Sequence, residues 1–135
     1  MIYLLLSLFL VQTMSATTHQ STQDRVQTVC EIVEHPSIYD GRTVTVEAFV
    51  SASLHATVLQ GDPCGRGIYM VHDAGNMNGK WPDFDAALAR KSAGLNKGLL
   101  RVKVRGVYHA KSSHGSTIIR QLEVTEVLEV IAQSN

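Results

Sequence analysis

"HPSIYDGRTVTVEAFV", His35–Val50, is the stretch in which the chain commits to a structure. The residue before a proline is pushed out of helical geometry, so Pro36 ends any helix that arrives there. Asp40-Gly41 is a turn dipeptide, in which Gly41 takes positive φ at little cost. From Thr43 to Ser51 the pattern alternates. Val44, Val46, Ala48 and Val50 share one side; Thr43, Thr45, Glu47 and Ser51 share the other, which predicts a half-buried strand. Phe49 stands on the polar side, where it covers the end of the fold or joins a ligand surface. "PSIYDG" is thus expected to be a joint between helix and strand, with Ile38 and Tyr39 packing back on the helix.

Upstream, "STQDRVQTVCEIVEHP" predicts a helix. Ser21 or Thr22 caps its free amides, and Asp24 sits favourably in the first turn. Val26, Val29, Cys30 and Val33 recur at helical spacing, with Ile32 beside them. Further upstream, Ile2–Val11 is a nearly unbroken apolar run, far shorter than the roughly 20 residues that span a bilayer. Small residues follow at Thr13, Ser15 and Ala16. This pattern predicts a secretory signal peptide over residues 1–16 and a periplasmic or extracellular destination, although no Lys or Arg precedes the apolar run. Residues 17–24 read as a flexible N-terminal segment. Two cysteines, Cys30 and Cys64, allow one intramolecular disulfide, which export favours. Spacing alone leaves two buried thiols open.

Downstream, "LHATVLQ", Leu54–Gln60, reads as a second strand, "GDPCGRG" as a turn and "IYMVH", Ile68–His72, as a third strand. Residues 74–98 break the β pattern. Asp83 or Asp85 can cap a short helix, "FDAALARKSA", ended by Gly94. "LLRVKVRGVYHAKS" is the clearest strand. Leu100, Val102, Val104, Gly106 and Tyr108 line one face; Arg101, Lys103 and Arg105 line the other. "SSHGS" is a turn, and a last strand runs from Ile118 to Ile131 with Leu122, Val124, Leu128 and Val130 in one register. Val127 falls out of phase, which predicts a bulge near Thr125 or Glu126.

The order helix, three strands, helix, two strands predicts a mainly β domain over residues 25–132. Its expected architecture is a five-stranded OB-like barrel with a helix between the third and fourth strands. "CEIVEHPSIYDGRTVTVEAFV" resembles the opening of a group of small, largely uncharacterised bacterial exported domains with an OB-like barrel. In these a Cys-bearing helix leads into a Pro-x-x-Tyr-Asp-Gly turn and a Val-x-Val strand. "LRVKVRGVYHA" and "RQLEVTEVLEV" are similar to the group's last two strands. The resemblance runs from Val29 to Val130. It implies a fold, and no catalytic residue carries over with it.

The chain holds 12 Lys plus Arg and 12 Asp plus Glu, so its formal net charge is zero. It has no general attraction to phosphate backbones or anionic lipid. Gly-x-Ser-x-Gly, His-Glu-x-x-His and the phosphate-binding Gly-Lys-Ser/Thr motif are all missing from the sequence. No catalytic, cofactor-binding or metal-ligating residue is assigned, and no cofactor is expected. His72, His109 and His114 would form a metal site only if the strand ends converge; surface histidines are the simpler reading. A cysteine nucleophile needs a free thiolate, which a disulfide removes. The candidate ligand surface is Arg101, Lys103 and Arg105, with Trp81. The basic row could meet single-stranded nucleic acid beside Tyr69, Phe49 or Tyr108. It could equally be a solvated face paired with Glu123, Glu126 and Glu129. Trp81 and Phe84 form a binding platform or plug the barrel's end. The expected function is a non-catalytic extracytoplasmic binding module for a small molecule, glycan or protein. Nucleic-acid binding and a metal- or cysteine-dependent enzyme are the alternatives.

Overall fold

A computed structural model describes residues 25–72, 75, 77–95 and 98–132, without the side chains of His114 and Ala132. The expected signal peptide over residues 1–16 and the expected flexible segment 17–24 lie outside the described residues. Ten elements follow in order: β1 (Val26–Gln27), α1 (Val29–Glu34), α2 (Pro36–Tyr39), β2 (Thr43–Ala52), β3 (Thr57–Gln60), β4 (Gly67–His72), β5 (Asn78–Gly79), α3 (Trp81–Ser92), β6 (Leu100–His114) and β7 (Thr117–Ala132). The fold is mainly β, with few and short helices.

Five strands close a ring through backbone pairing. β2 pairs antiparallel with β3 and with β6, β3 with β4, and β6 with β7; the parallel pair β4–β7 completes the circuit. β1 adds a parallel edge to β2, and β5 a parallel edge to β7. One hydrophobic cluster fills the fold. It joins Val44, Val46, Ala48 and Val50 of β2 to Leu100, Val102, Val104 and Tyr108 of β6, with Val29 and Ile32 of α1 and Trp81 and Phe84 of α3. The alternation that predicts β2 and β6 is therefore the inside–outside pattern of the ring.

The opening stretch behaves as a joint, with local corrections. The expected helix from Ser21 is shorter. Val26–Gln27 is a strand on β2, and α1 begins only at Val29. Thr28 is the true cap: its hydroxyl accepts from the Glu31 amide, and the Glu31 carboxylate accepts from the Thr28 amide. This reciprocal box satisfies two amides at once, which sets the helix start. Pro36 both stops α1 and opens α2, since its fixed φ suits a first helical position. Gly41 has φ +71°, as its turn requires. Tyr39 packs against the core, whereas Ile38 is exposed. The Asp40 carboxylate accepts from the Ala110 amide at 2.8 Å, and the Gly41 amide donates to the Tyr108 carbonyl, so the joint is fastened to β6.

Three more boundaries shift. β3 starts at Thr57, leaving Leu54 fully exposed in the preceding loop. α3 starts at Trp81 rather than after Asp83 or Asp85, with Pro82 in its first turn and no side-chain cap. β6 and β7 extend to His114 and from Thr117, so the turn is only Gly115-Ser116.

The predicted bulge is present at Thr125, because Arg105 faces Glu126 while Gly106 faces Val124. A second bulge follows: Lys103 faces Glu129 while Val104 faces Val127, leaving Leu128 as the extra residue. Together they bury Val124 and Val127 despite their odd spacing, and Leu128 stays half-buried outside the expected register. Gly106 sits at the first bulge. A Cβ there would run into the Glu123 carbonyl oxygen and come within 2.8 Å of the Val124 Cα, so β7 can cross only over a glycine.

Candidate functional site

Arg101, Lys103 and Arg105 lie side by side on the outer face of β6, and each already holds a carboxylate. Arg101 Nη1 is 3.3 Å from Glu47 Oε1. Lys103 Nζ is 3.0 Å from Glu129 and 3.8 Å from Glu47. Arg105 Nη1 is 2.9 Å from Glu126. Cross-strand register makes the ladder: Glu47 is opposite Lys103, Lys103 opposite Glu129, and Arg105 opposite Glu126. The hydrogen bond and charge of Glu129 raise the Lys103 pKa, and Lys103 lowers that of Glu129 in return. Three cations against three carboxylates leave no surplus positive charge on this face.

Trp81 does not join that surface. It is 1% exposed, with its ring 4.5 Å from His72 and edge-on to Phe84 at 5.7 Å. The indole plugs the core at the start of α3 instead of presenting a platform. Its Nε1, like the Tyr108 hydroxyl, has no hydrogen-bond partner among the described residues. Burial raises the Tyr108 phenol pKa.

The histidines are dispersed. His72 contacts Trp81, His109 Nε2 is 3.4 Å from Glu123, and His35 and His55 are exposed. Among the described residues no group of three or more His, Cys, Asp or Glu is placed to hold a metal ion. Cys30 and Cys64 form a disulfide with Cα atoms 5.8 Å apart, so neither thiol is free. No helix among the described residues is long and apolar enough to cross a membrane.

The two concavities of interest lie at opposite ends of β6. One, of about 380 Å³, is a groove lined by Tyr69 of β4, Lys111 of β6, and Ile118, Ile119 and Arg120 of β7. It arises from register. The β4–β7 ladder starts only at the pair Tyr69–Gln121, so the two strands are unpaired before it. A bulge aids the opening: His109 faces Gln121 and Ser112 faces Ile119, which sets Ala110 and Lys111 against the single Arg120. Lys111 and Arg120 are exposed, and neither has an ion-pair partner among the described residues. Ile118 beside them is 71% exposed. The other concavity, of about 200 Å³, gathers Glu47, Phe49, Gln60, Asp62 and Arg101. Sequence reasoning singles out Phe49, Tyr69 and Arg101. It misses Lys111, Ile118, Arg120, Gln60 and Asp62, which come from separate strands and turns and form no motif.

Among known proteins, the chain matches no family model and no curated protein. One similar solved structure is an OBody, AM2EP06, bound to hen egg-white lysozyme. It is 15% identical, covers 67% of this chain and 82% of that one, and has a TM-score of 0.36. So distant a likeness assigns neither fold nor function.

Proposed function

We propose that this chain is a non-catalytic, OB-like binding module that works outside the cytoplasm on a small molecule, glycan or protein partner. The OB-like reading is supported by connectivity. Three ring strands precede α3 and two follow it; the first ring strand pairs with the fourth, and the third runs parallel to the fifth. Export is supported by the apolar N-terminus and the disulfide.

The observation that carries the binding reading is the groove beside Tyr69. It lies between the third ring strand and the hairpin of the last two, the elements an OB barrel uses to hold ligands. Its volume of about 380 Å³ falls within the range of small-ligand pockets. Two cations without carboxylate partners among the described residues, next to apolar Ile118 and Ile119, suit a ligand with an anionic group and an apolar body.

The test is an unbiased ligand screen on the full chain by amide chemical shifts, with hits repeated on the double variant Lys111→Glu/Arg120→Glu. The expected result is an anionic ligand that moves the amides of Tyr69, Lys111 and Arg120 and is lost in the variant. Hits confined to oligonucleotides, with affinity falling steeply as salt rises, would replace this reading by nucleic-acid binding.

A further inference from the structure

The smaller concavity has a different chemistry from the groove. Arg101, Phe49 and Gln60 are directly opposite one another across β6, β2 and β3, so the three side chains stand in one row on one face. Glu47, two residues before Phe49, shares that face. Asp62, from the turn after β3, closes the far wall. A half-buried aromatic ring is thus bordered by an amide, a guanidinium and two carboxylates.

The bordering groups have bonding capacity to spare. Neither the Gln60 nor the Asp62 side chain has a hydrogen bond or ion pair among the described residues. Arg101 Nε is buried with no acceptor among the described residues, although Nη1 of the same guanidinium reaches Glu47. That nitrogen is enclosed and out of a ligand's reach, whereas the side chain as a whole is 36% exposed. The lining carries one cation, Arg101, and two carboxylates, Glu47 and Asp62, so the charge at the site is slightly negative. That disfavours an anion. The volume of about 200 Å³, at roughly 30 Å³ per water, holds six or so waters or one six-membered sugar ring.

The far wall is also held in place. The disulfide ties the turn carrying Asp62 to α1. The Cys64 amide donates to Cys30 Sγ at 3.3 Å, and the Gly61 amide donates to the Arg66 carbonyl at 2.8 Å. A Cβ on Gly61 would approach Cys64 Sγ to 2.8 Å and Val29 Cγ1 to 2.9 Å, so turn and helix meet over a glycine. A wall fixed before binding loses little freedom when a ligand arrives.

We propose that the Phe49 concavity is a binding site for a neutral polyol the size of one pyranose ring. The sugar's apolar C–H face stacks on Phe49, and its hydroxyls bond to Gln60, Asp62 and the exposed end of the Arg101 guanidinium. The site is separate from the groove beside Tyr69 and does not depend on it.

Titrating the isotope-labelled full chain with glucose, galactose, mannose and N-acetylglucosamine tests this, with glucuronic acid as the charged comparison. The expected result is saturable movement of the Phe49, Gly61 and Asp62 amides by at least one neutral sugar, with the Lys111 and Arg120 amides unmoved. Phe49→Ala should weaken binding at least about tenfold, and Phe49→Tyr should retain it. Gln60 and Asp62 are exposed, so Gln60→Ala and Asp62→Ala keep the fold and should each weaken binding severalfold. The proposal is overturned if no neutral sugar moves those amides, if glucuronic acid binds as well or better, or if binding survives the loss of Gln60 and Asp62.

Discussion

The β6–β7 hairpin has two unlike halves. In the half nearest α3, Leu100–Tyr108 is flanked by β2 and β7, its inward residues are buried, and each outward cation holds a carboxylate. In the half beyond His109, β2 no longer follows, Lys111 and Arg120 hold no carboxylate among the described residues, and Ile118 is exposed. Both halves are basic and apolar in sequence. The difference lies in what faces them. Where β2 runs alongside, its Glu47 joins Glu126 and Glu129 of β7 against the cations, and its apolar face closes the core over the apolar residues. Where it is missing, both properties stay available to a ligand.

The sharpest way to break this contrast is to truncate one apolar residue in each half. Tyr108→Ala should cost about 3–5 kcal/mol in denaturant unfolding, because the side chain is 0% exposed. Ile118→Ala should change stability by no more than about 0.5 kcal/mol. Similar losses at both positions would erase the distinction. Tyr108→Phe refines it: removing a buried hydroxyl that has no partner among the described residues should leave stability equal or higher.

Next in size is Gly106→Ala, at the bulge where β7 crosses β6. The new Cβ has no room against the backbone of Glu123 and Val124, and thermal melts should show a loss of about 1–3 kcal/mol. A neutral result would mean that the crossing is not tight.

Charge reversal separates the halves by function. Arg105→Glu in the ladder should cost about 1 kcal/mol or less, because the pair with Glu126 is partly exposed. Lys111→Glu/Arg120→Glu should leave the melting temperature unchanged and abolish binding of any anionic ligand. A large stability loss in the double variant would make the groove cations structural.

The smallest effect is the pH response of the ladder. The folded-state pKa of Glu129 is lowered from 4.5, so its contribution is complete above that value and fades as pH falls through the depressed one. The folded-state pKa of Lys103 is raised from 10.5, so its contribution is complete below that value and fades as pH rises through the elevated one. Burial raises the pKa of Tyr108 in the same direction, adding to alkaline destabilisation. Stability followed against pH should lose its alkaline component in part in Tyr108→Phe and its acid component in part in Lys103→Ala.

Much of the fold is legible residue by residue. Val44–Val50 and Leu100–Tyr108 alternate because each strand has one buried and one solvated face, so their faces can be assigned before any partner is known. The phase break at Val127 announces a bulge, since a strand can bury an out-of-phase residue only by inserting another. Gly41 announces its positive φ. The helix start is not legible in the same way. Val26 fits a helical stripe as well as a strand, and only the free edge of β2 decides between them. The candidate sites are less legible still. Arg101, Lys103 and Arg105 read as one basic row, and only the register sets Glu47, Glu126 and Glu129 against them.

The sequence by itself determined the local states: where strands alternate, where Pro36 and Gly41 break them, and which two cysteines can pair. These follow from nearest-neighbour sterics and from the period with which apolar residues recur. Only the tertiary structure decided which charges are satisfied, which aromatics are covered and where cavities open. It sent Trp81 inward and, among the described residues, left Lys111 and Arg120 without carboxylates. It also set Phe49 in a row with Gln60 and Arg101, residues 11 and 52 positions away along the chain. Strand register makes such neighbours, and a shift of one residue would turn every one of those side chains to the opposite face.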